Sequence, residues 1–267
     1  MADMPQYEVF AIRYGTVPRK RSDNFVGGDP HEGPMPLDYF LWLVRGAGRT
    51  FVIDTGFGAE EAARRGRQRF REPEEGLVSL GVDPATVEDV VITHLHYDHA
   101  GGMDRFPKAR FHVQDGEVAY ATGRHMCHAP IRHAYSVEDV VQMVRAVYAG
   151  RVEFHDGDRE LAPGLSLHKI GGHTMGMQSV RVHTRRGWVV LASDASHMYD
   201  NMELGRPFPI VHNMTETLEG YRTLRRLAAS PNHIIPGHDP LVMARYPAAS
   251  AKLEGIVARL DVDPTGV

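Results

Sequence analysis

Thr93-His94-Leu95-His96-Tyr97-Asp98-His99-Ala100-Gly101-Gly102 is the stretch that decides the fold. Three imidazoles and a carboxylate fall within six residues. A helix would spread those side chains around its axis, whereas a loop leaving a strand can aim them at one point. The apolar run 87–93 is a strand candidate that ends at the cluster. Imidazole and carboxylate suit zinc and similar divalent metals. The glycines after His99 let the backbone turn tightly beside them. A catalytic zinc needs only three protein ligands plus water, so four candidates this close imply more than one metal.

The same arrangement recurs downstream. The apolar run 165–170 ends at Gly171-Gly172-His173. Runs 178–183 and 188–192 form a hairpin whose second strand enters Ser193-Asp194. The run 233–235 ends at Pro236-Gly237-His238. Ligands on loops at one end of a sheet are how a rigid scaffold builds a site. Upstream, runs 39–44 and 50–53 flank Arg45-Gly46-Ala47-Gly48-Arg49 and predict another hairpin. Residues 15–36, rich in Pro and Gly, read as a long loop, and 109–113 as a strand. Helices are predicted over 60–70 as an Arg-rich solvated face (Arg64, Arg65, Arg67, Arg69, Arg71), and over 136–148 with Val140, Val141, Val144, Val147 and Tyr148 inward. Two more are predicted over 215–228, with Leu218, Tyr221, Leu224 and Leu227 inward, and over 248–260. Strand pairs alternating with helices imply sheets with helices packed outside, in one domain over residues 1–267.

Composition sets the limits. The 267 residues carry 30 Lys and Arg against 34 Asp and Glu, a net charge of −4. That argues against nucleic-acid or anionic-membrane partners, which require a basic face. The single cysteine, Cys127, excludes disulfide frameworks, zinc fingers and iron–sulfur clusters, and reads as a partly buried thiol. The first seven residues carry no targeting pattern and no run is long enough to span a membrane, so a cytoplasmic location is expected. Sixteen histidines are a clear surplus.

With Asp54-Thr55-Gly56, the 94–99 cluster, Gly172-His173, Asp194 and Gly237-His238 in this order, the chain resembles the metallo-β-lactamase superfamily. The resemblance implies an α/β fold, a four-layer αββα sandwich with a two-metal site at one edge. It implies that His94, His96 and His173 hold one ion, that Asp98, His99 and His238 hold the other, and that Asp194 bridges them. Asp54 would orient a ligand histidine. The ions are expected to be Zn2+, with Fe, Mn or Co as alternatives.

Within the superfamily, His96 weakens a redox di-iron reading, because such members carry glutamate there. The bridging Asp194 and the absence of a cysteine ligand weaken a β-lactamase reading. The chain is most similar to the N-acyl homoserine lactonases, through its length, its N-terminal loop, Gly172-His173-Thr174 with Gln178-Ser179, and Ser193-Asp194-Ala195-Ser196 leading into Asn201-Met202-Glu203. That likeness implies opening of a lactone ring by a metal-bridging hydroxide, as in quorum quenching, with Asp98 as a possible proton carrier. The family's substrate-contacting tyrosine is replaced by His197, so His197 and nearby Tyr199 are candidate substrate donors. Met175, Met177, Met198 and Met202 are candidate walls for an acyl chain, with Phe25, Tyr39, Phe40 and Phe208 beside them. His125-Met126-Cys127-His128 and His133 read as a surface segment. The alternatives are a catabolic lactonase for a small γ-lactone or furanone-type lactone and a glyoxalase II-like thioesterase. The partner expected is a small-molecule lactone, and the chain is expected to be a monomer or homodimer.

Overall fold

Strand β2 (Leu37–Gly46) sets the architecture, because its core residues are apolar on both sides of the pleat. Tyr39, Leu41 and Leu43 enter one hydrophobic cluster, and Phe40, Trp42 and Val44 enter the other. A strand buried on both faces must lie between two layers. The structure, a computed structural model, describes residues 4–265. The targeting reading of the first seven residues therefore falls partly on 1–3, outside the described residues.

β2 pairs with β1 (Glu8–Val17) and β3 (Arg49–Ile53). Beyond β3 come β5 (Asp89–Val91), β6 (Arg110–Gln114) and β7 (Val152–His155), all parallel, while β13 (Val257–Arg259) and the two-residue β4 (Gln68–Arg69) pair with β1. The second sheet runs β12-β11-β10-β9-β8, from Ile234–Pro236, Gly187–Ser193, Gln178–Thr184, Leu165–Lys169 and Arg159–Ala162. One apolar cluster joins the inner faces of the two sheets to α8 (Met214–Leu227). The other fills the space between the first sheet and its helices, including α3 (Tyr97–Ala100) and α6 (Val137–Tyr148). The result is the expected mixed α/β, four-layer αββα sandwich.

Several local expectations are corrected. Residues 248–260 are not a helix. After a short 3-10 turn at Ala251–Leu253, the backbone turns at Gly255 and pairs as β13 with the open edge of β1. The edge's unpaired backbone groups outweigh the local helical spacing of Leu253, Ile256, Val257 and Leu260. α6 is rotated from the expected face. It buries Asp139, Met143 and Ala146, leaves Val137 and Tyr148 exposed, and keeps the other valines half-buried. In α8, Leu218 is exposed while Thr217, Gly220, Tyr221 and Leu224 are buried. The N-terminal loop begins later than expected, because 15–17 belong to β1. The Arg-rich helix α1 ends at Arg65 (Ala59–Arg65), and its arginines are not a simple solvated face. Arg65 pairs with Glu61 and lies over the Tyr97 ring at 4.0 Å, while Arg67 Nε donates to Tyr97 Oη at 3.1 Å. Cys127 is exposed rather than partly buried.

Candidate metal centre

Four loops at strand ends meet at one edge of the sandwich. They leave β5, β9, β11 and β12: the first carries His94 and His96 and runs into the single-turn helix α3, which presents Asp98 and His99, and the others carry His173, Asp194 and His238. Every one of these side chains is buried. Tight backbone makes the approach possible. A Cβ at Gly172 would stand 2.5 Å from Thr217 N, and one at Gly237 would stand 2.7 Å from Asp194 Oδ1. Asp54 and Ser193 hold positive φ angles of 61° and 48°. Non-glycine residues in that region are strained, and such strain collects where function needs a fixed direction.

His94, His96, His173 and Asp194 each offer a ligand atom, all within 4.8 Å of one another. Asp98, His99 and His238 form a second such set, and Asp194, His197 and His238 a third. In the first set, His96 Nδ1 lies 3.0 Å from both His94 Nε2 and His173 Nε2. Asp194 faces both sets: Oδ2 is 3.3 Å from His173 Nε2, and Oδ1 is 2.9 Å from His238 Nε2 and 3.4 Å from His99 Nε2. Asp98 Oδ2 is 3.6 Å from His238 Nε2 and 3.7 Å from His99 Nε2.

The outer nitrogens decide what these rings can do. His173 Nδ1 lies 2.8 Å from the Ile210 carbonyl, His238 Nδ1 2.8 Å from the Asp38 carbonyl, and His99 Nδ1 2.7 Å from Asp54 Oδ2. Donation of each Nδ1–H to that oxygen leaves Nε2 as a lone pair pointing inward. Burial, then neighbouring imidazoles, push His94 and His96 well below the ordinary histidine range, which keeps both neutral. Converging lone pairs and carboxylates repel unless a cation lies between them. His99 Nε2 and Asp194 Oδ1 are buried with no hydrogen-bond partner, as metal-directed atoms are. The donor set therefore fits divalent metal.

Asp54 does more than orient His99. It also accepts from Thr93 N and Thr93 Oγ1, both at 2.8 Å, while Thr93 Oγ1 reaches Ser193 Oγ at 2.9 Å. One carboxylate thus ties β3 to two ligand loops. Glu117, which the sequence reading missed, plays a parallel part. Its buried carboxylate accepts from Leu95 N at 2.9 Å, Thr174 Oγ1 at 2.5 Å and Gly176 N at 3.2 Å. It sits on α4 (Asp115–Thr122) with no ligand spacing around it, so nothing in the one-dimensional pattern marks it.

The two candidate donors are placed differently. His197 Nε2 lies 3.0 Å from Asp194 Oδ2, and its ring stacks on Phe208 at 3.7 Å. Burial pushes His197 down to about 3. Tyr199 lies in the inter-sheet cluster under Arg245, away from the ligand set. Of the candidate pocket methionines, Met177, Met198 and Met202 are core residues and Met175 is exposed. Phe25 and Phe40 are likewise core, whereas Tyr39 meets His238 edge-on at 5.5 Å. A cavity of about 760 Å³ between α1 and α6, lined by Phe57, Met126, Tyr135 and Val137, contains none of the ligand candidates.

Residues 36–250 match the model of the metallo-β-lactamase superfamily. The chain belongs to that superfamily. The N-acyl homoserine lactonase AiiB of Agrobacterium fabrum is 30% identical over 227 residues, covering 74% of this chain and 78% of its own. A crystal structure of a quorum-quenching N-acyl homoserine lactone lactonase superposes with a TM-score of 0.74 at 24% identity, over 90% of this chain and 95% of that one. AidC, a dizinc quorum-quenching lactonase, superposes with a TM-score of 0.68 at 15% identity, over 89% of both chains. At these identities the two structures establish the metallo-β-lactamase fold. Among the described residues, no helix is long and apolar enough to cross a membrane.

Proposed function

We propose that the chain is a two-metal hydrolase that opens a lactone ring. The observation that carries this reading is Asp194, whose two oxygens face separate sets of inward-pointing imidazoles. His94, His96 and His173 would hold one ion, and Asp98, His99 and His238 the other, with Asp194 shared. Two such ions, most simply Zn2+, supply a water acidified toward neutrality and a Lewis acid for a carbonyl. The protein's own groups do the rest. Asp54 and the carbonyls of Asp38 and Ile210 fix the ring directions, and burial excludes bulk water. His197, braced by Phe208, stands beside Asp194 and can donate to the developing oxyanion or the leaving oxygen. Asp98 is the candidate proton carrier to that leaving oxygen.

The named activity of the relatives makes N-acyl homoserine lactones the first substrates to test. A small polar γ-lactone is the second reading. It is favoured because three of the four methionines expected to wall an acyl chain are core residues. The test is a panel of N-acyl homoserine lactones, simple γ-lactones, a thioester and a β-lactam, run with metal-loaded and chelator-treated protein. Lactone turnover that disappears on chelation is expected. Thioester turnover without lactone turnover, or activity indifferent to chelation, overturns the proposal.

A further inference from the structure

Two arginines beside the metal centre have no carboxylate partner. Their neighbours do: Arg21 pairs with Asp29 and Asp200, Arg65 with Glu61, Arg69 with Glu72, and Arg206 with Asp29. Among the described residues, Arg19 and Arg67 form no ion pair. Arg19 donates through Nε to the neutral Asn24 side chain at 2.8 Å and through Nη2 to the Asp23 carbonyl. The Asp23 carboxylate accepts instead from Lys20 N. Arg67 donates to Tyr97 Oη at 3.1 Å and to the Arg65 carbonyl at 3.0 Å. Both side chains are half-buried.

Their placement gives the missing charge a meaning. Arg19 lies over Phe208 at 5.0 Å, and Phe208 stacks on His197 beside Asp194. Arg67 holds Tyr97 Oη, which lies 2.9 Å from Tyr39 Oη, and the Tyr39 ring meets His238. One or two aromatic rings thus separate each guanidinium from the ligand set. The two are near enough that each charge acts on Tyr39, and that of Arg67 acts on Arg19. Asp23 and Asp98 offset these charges only from beyond ion-pair distance, and two partly desolvated like charges near each other gain from an anion that joins them. The guanidinium fork matches a carboxylate better than any neutral group.

We propose that Arg19 and Arg67 form an anion-reading subsite beside the metal centre, and that the substrate is a lactone bearing a carboxylate. This rests on the lactonase reading and narrows it, because N-acyl homoserine lactones are neutral. The test uses the metal-loaded protein with γ-butyrolactone and its 3-carboxylate derivative. The kcat/KM of the charged lactone should exceed that of the neutral one at least tenfold. Arg19→Gln and Arg67→Gln should each collapse that ratio about tenfold, mainly through KM, while Arg→Lys at either position restores part of it. Calorimetric titration with the ring-opened hydroxydicarboxylate should show the same loss of affinity without turnover. Hydrolysis of both lactones with no preference for the charged one, or equal losses on both in the variants, overturns the subsite and leaves the lactonase standing. Hydrolysis of neither, with intact metal content, overturns the lactonase reading itself.

Discussion

At the residue scale, the centre depends on side chains that never touch metal. Asp54 is buried, strained in backbone and committed to three hydrogen bonds, one of them to His99. Asp54→Asn replaces one acceptor oxygen with a donor and disturbs the His99 tautomer. The expected outcome is a 10–100-fold loss of affinity at the site containing His99, within the ordinary range for such partners, read by metal content after dialysis against a weak chelator. His197 and Tyr199 separate the same way. His197→Ala should lower kcat with little change in KM, the signature of a contact made in the transition state. Tyr199→Phe should leave both constants within about twofold, because its ring packs between the sheets. Spacing alone put both donors near the centre. Only the turn after Ser193 sends one of them there and the other into the core. The convergence of the candidate ligands was legible because each of the four segments that carry them leaves an apolar strand, so chain order already encodes where they meet.

At the scale of elements, legibility fell where a partner surface decides the outcome. Residues 248–260 carry helical spacing, yet the unfilled edge of β1 takes Val257–Arg259 as a strand. In α6 the valines offered the obvious inward face, but the volume beside the first sheet takes Met143, Ala146 and Asp139. That choice has a measurable consequence. Burial first, then the charge of Glu61, push the Asp139 carboxyl up to about 7. The unfolded chain releases this proton near pH 4, while the folded chain keeps it until about pH 7. Between those values the folded state binds more protons, so stability falls as pH rises, and the penalty is complete above about pH 7. Asp139→Asn should match the wild type in Tm at pH 4 and exceed it at pH 8 by about 2–6 °C, corresponding to about 1–2 kcal/mol. Equal melting temperatures at pH 8 would refute the buried, reluctant carboxyl. Glu117 predicts the opposite sign. Glu117→Ala leaves the buried Leu95 and Gly176 amides without acceptors, at a cost of about 2–4 kcal/mol, and should loosen the loops carrying His96 and His173 together. Thermal unfolding and metal retention should therefore fall in the same variant.

For the whole molecule, the two sheets are joined not only by their shared apolar cluster but by the ligand set. The four candidate ligands between His94 and His99 follow a strand of the first sheet, whereas the candidates His173, Asp194 and His238 follow strands of the second. Each proposed ion therefore takes ligands from both layers, and Asp194 ties the pair. Bound metal then acts as a clasp across the sandwich, and its binding energy adds to folding because the unfolded chain holds no such arrangement. At free metal about one hundred times the dissociation constant, one ion adds about 2.7 kcal/mol. For a chain of this length that corresponds to about 5–11 °C in Tm. Chelation should lower Tm by at least that amount and should also make the edge loops more accessible to protease. A site confined to one sheet would predict a different pattern, with His238→Ala and His173→Ala leaving the chelator-sensitive increment intact. The cross-sheet clasp predicts that either substitution removes a large part of it, although neither residue belongs to the histidine cluster that first drew attention in the sequence.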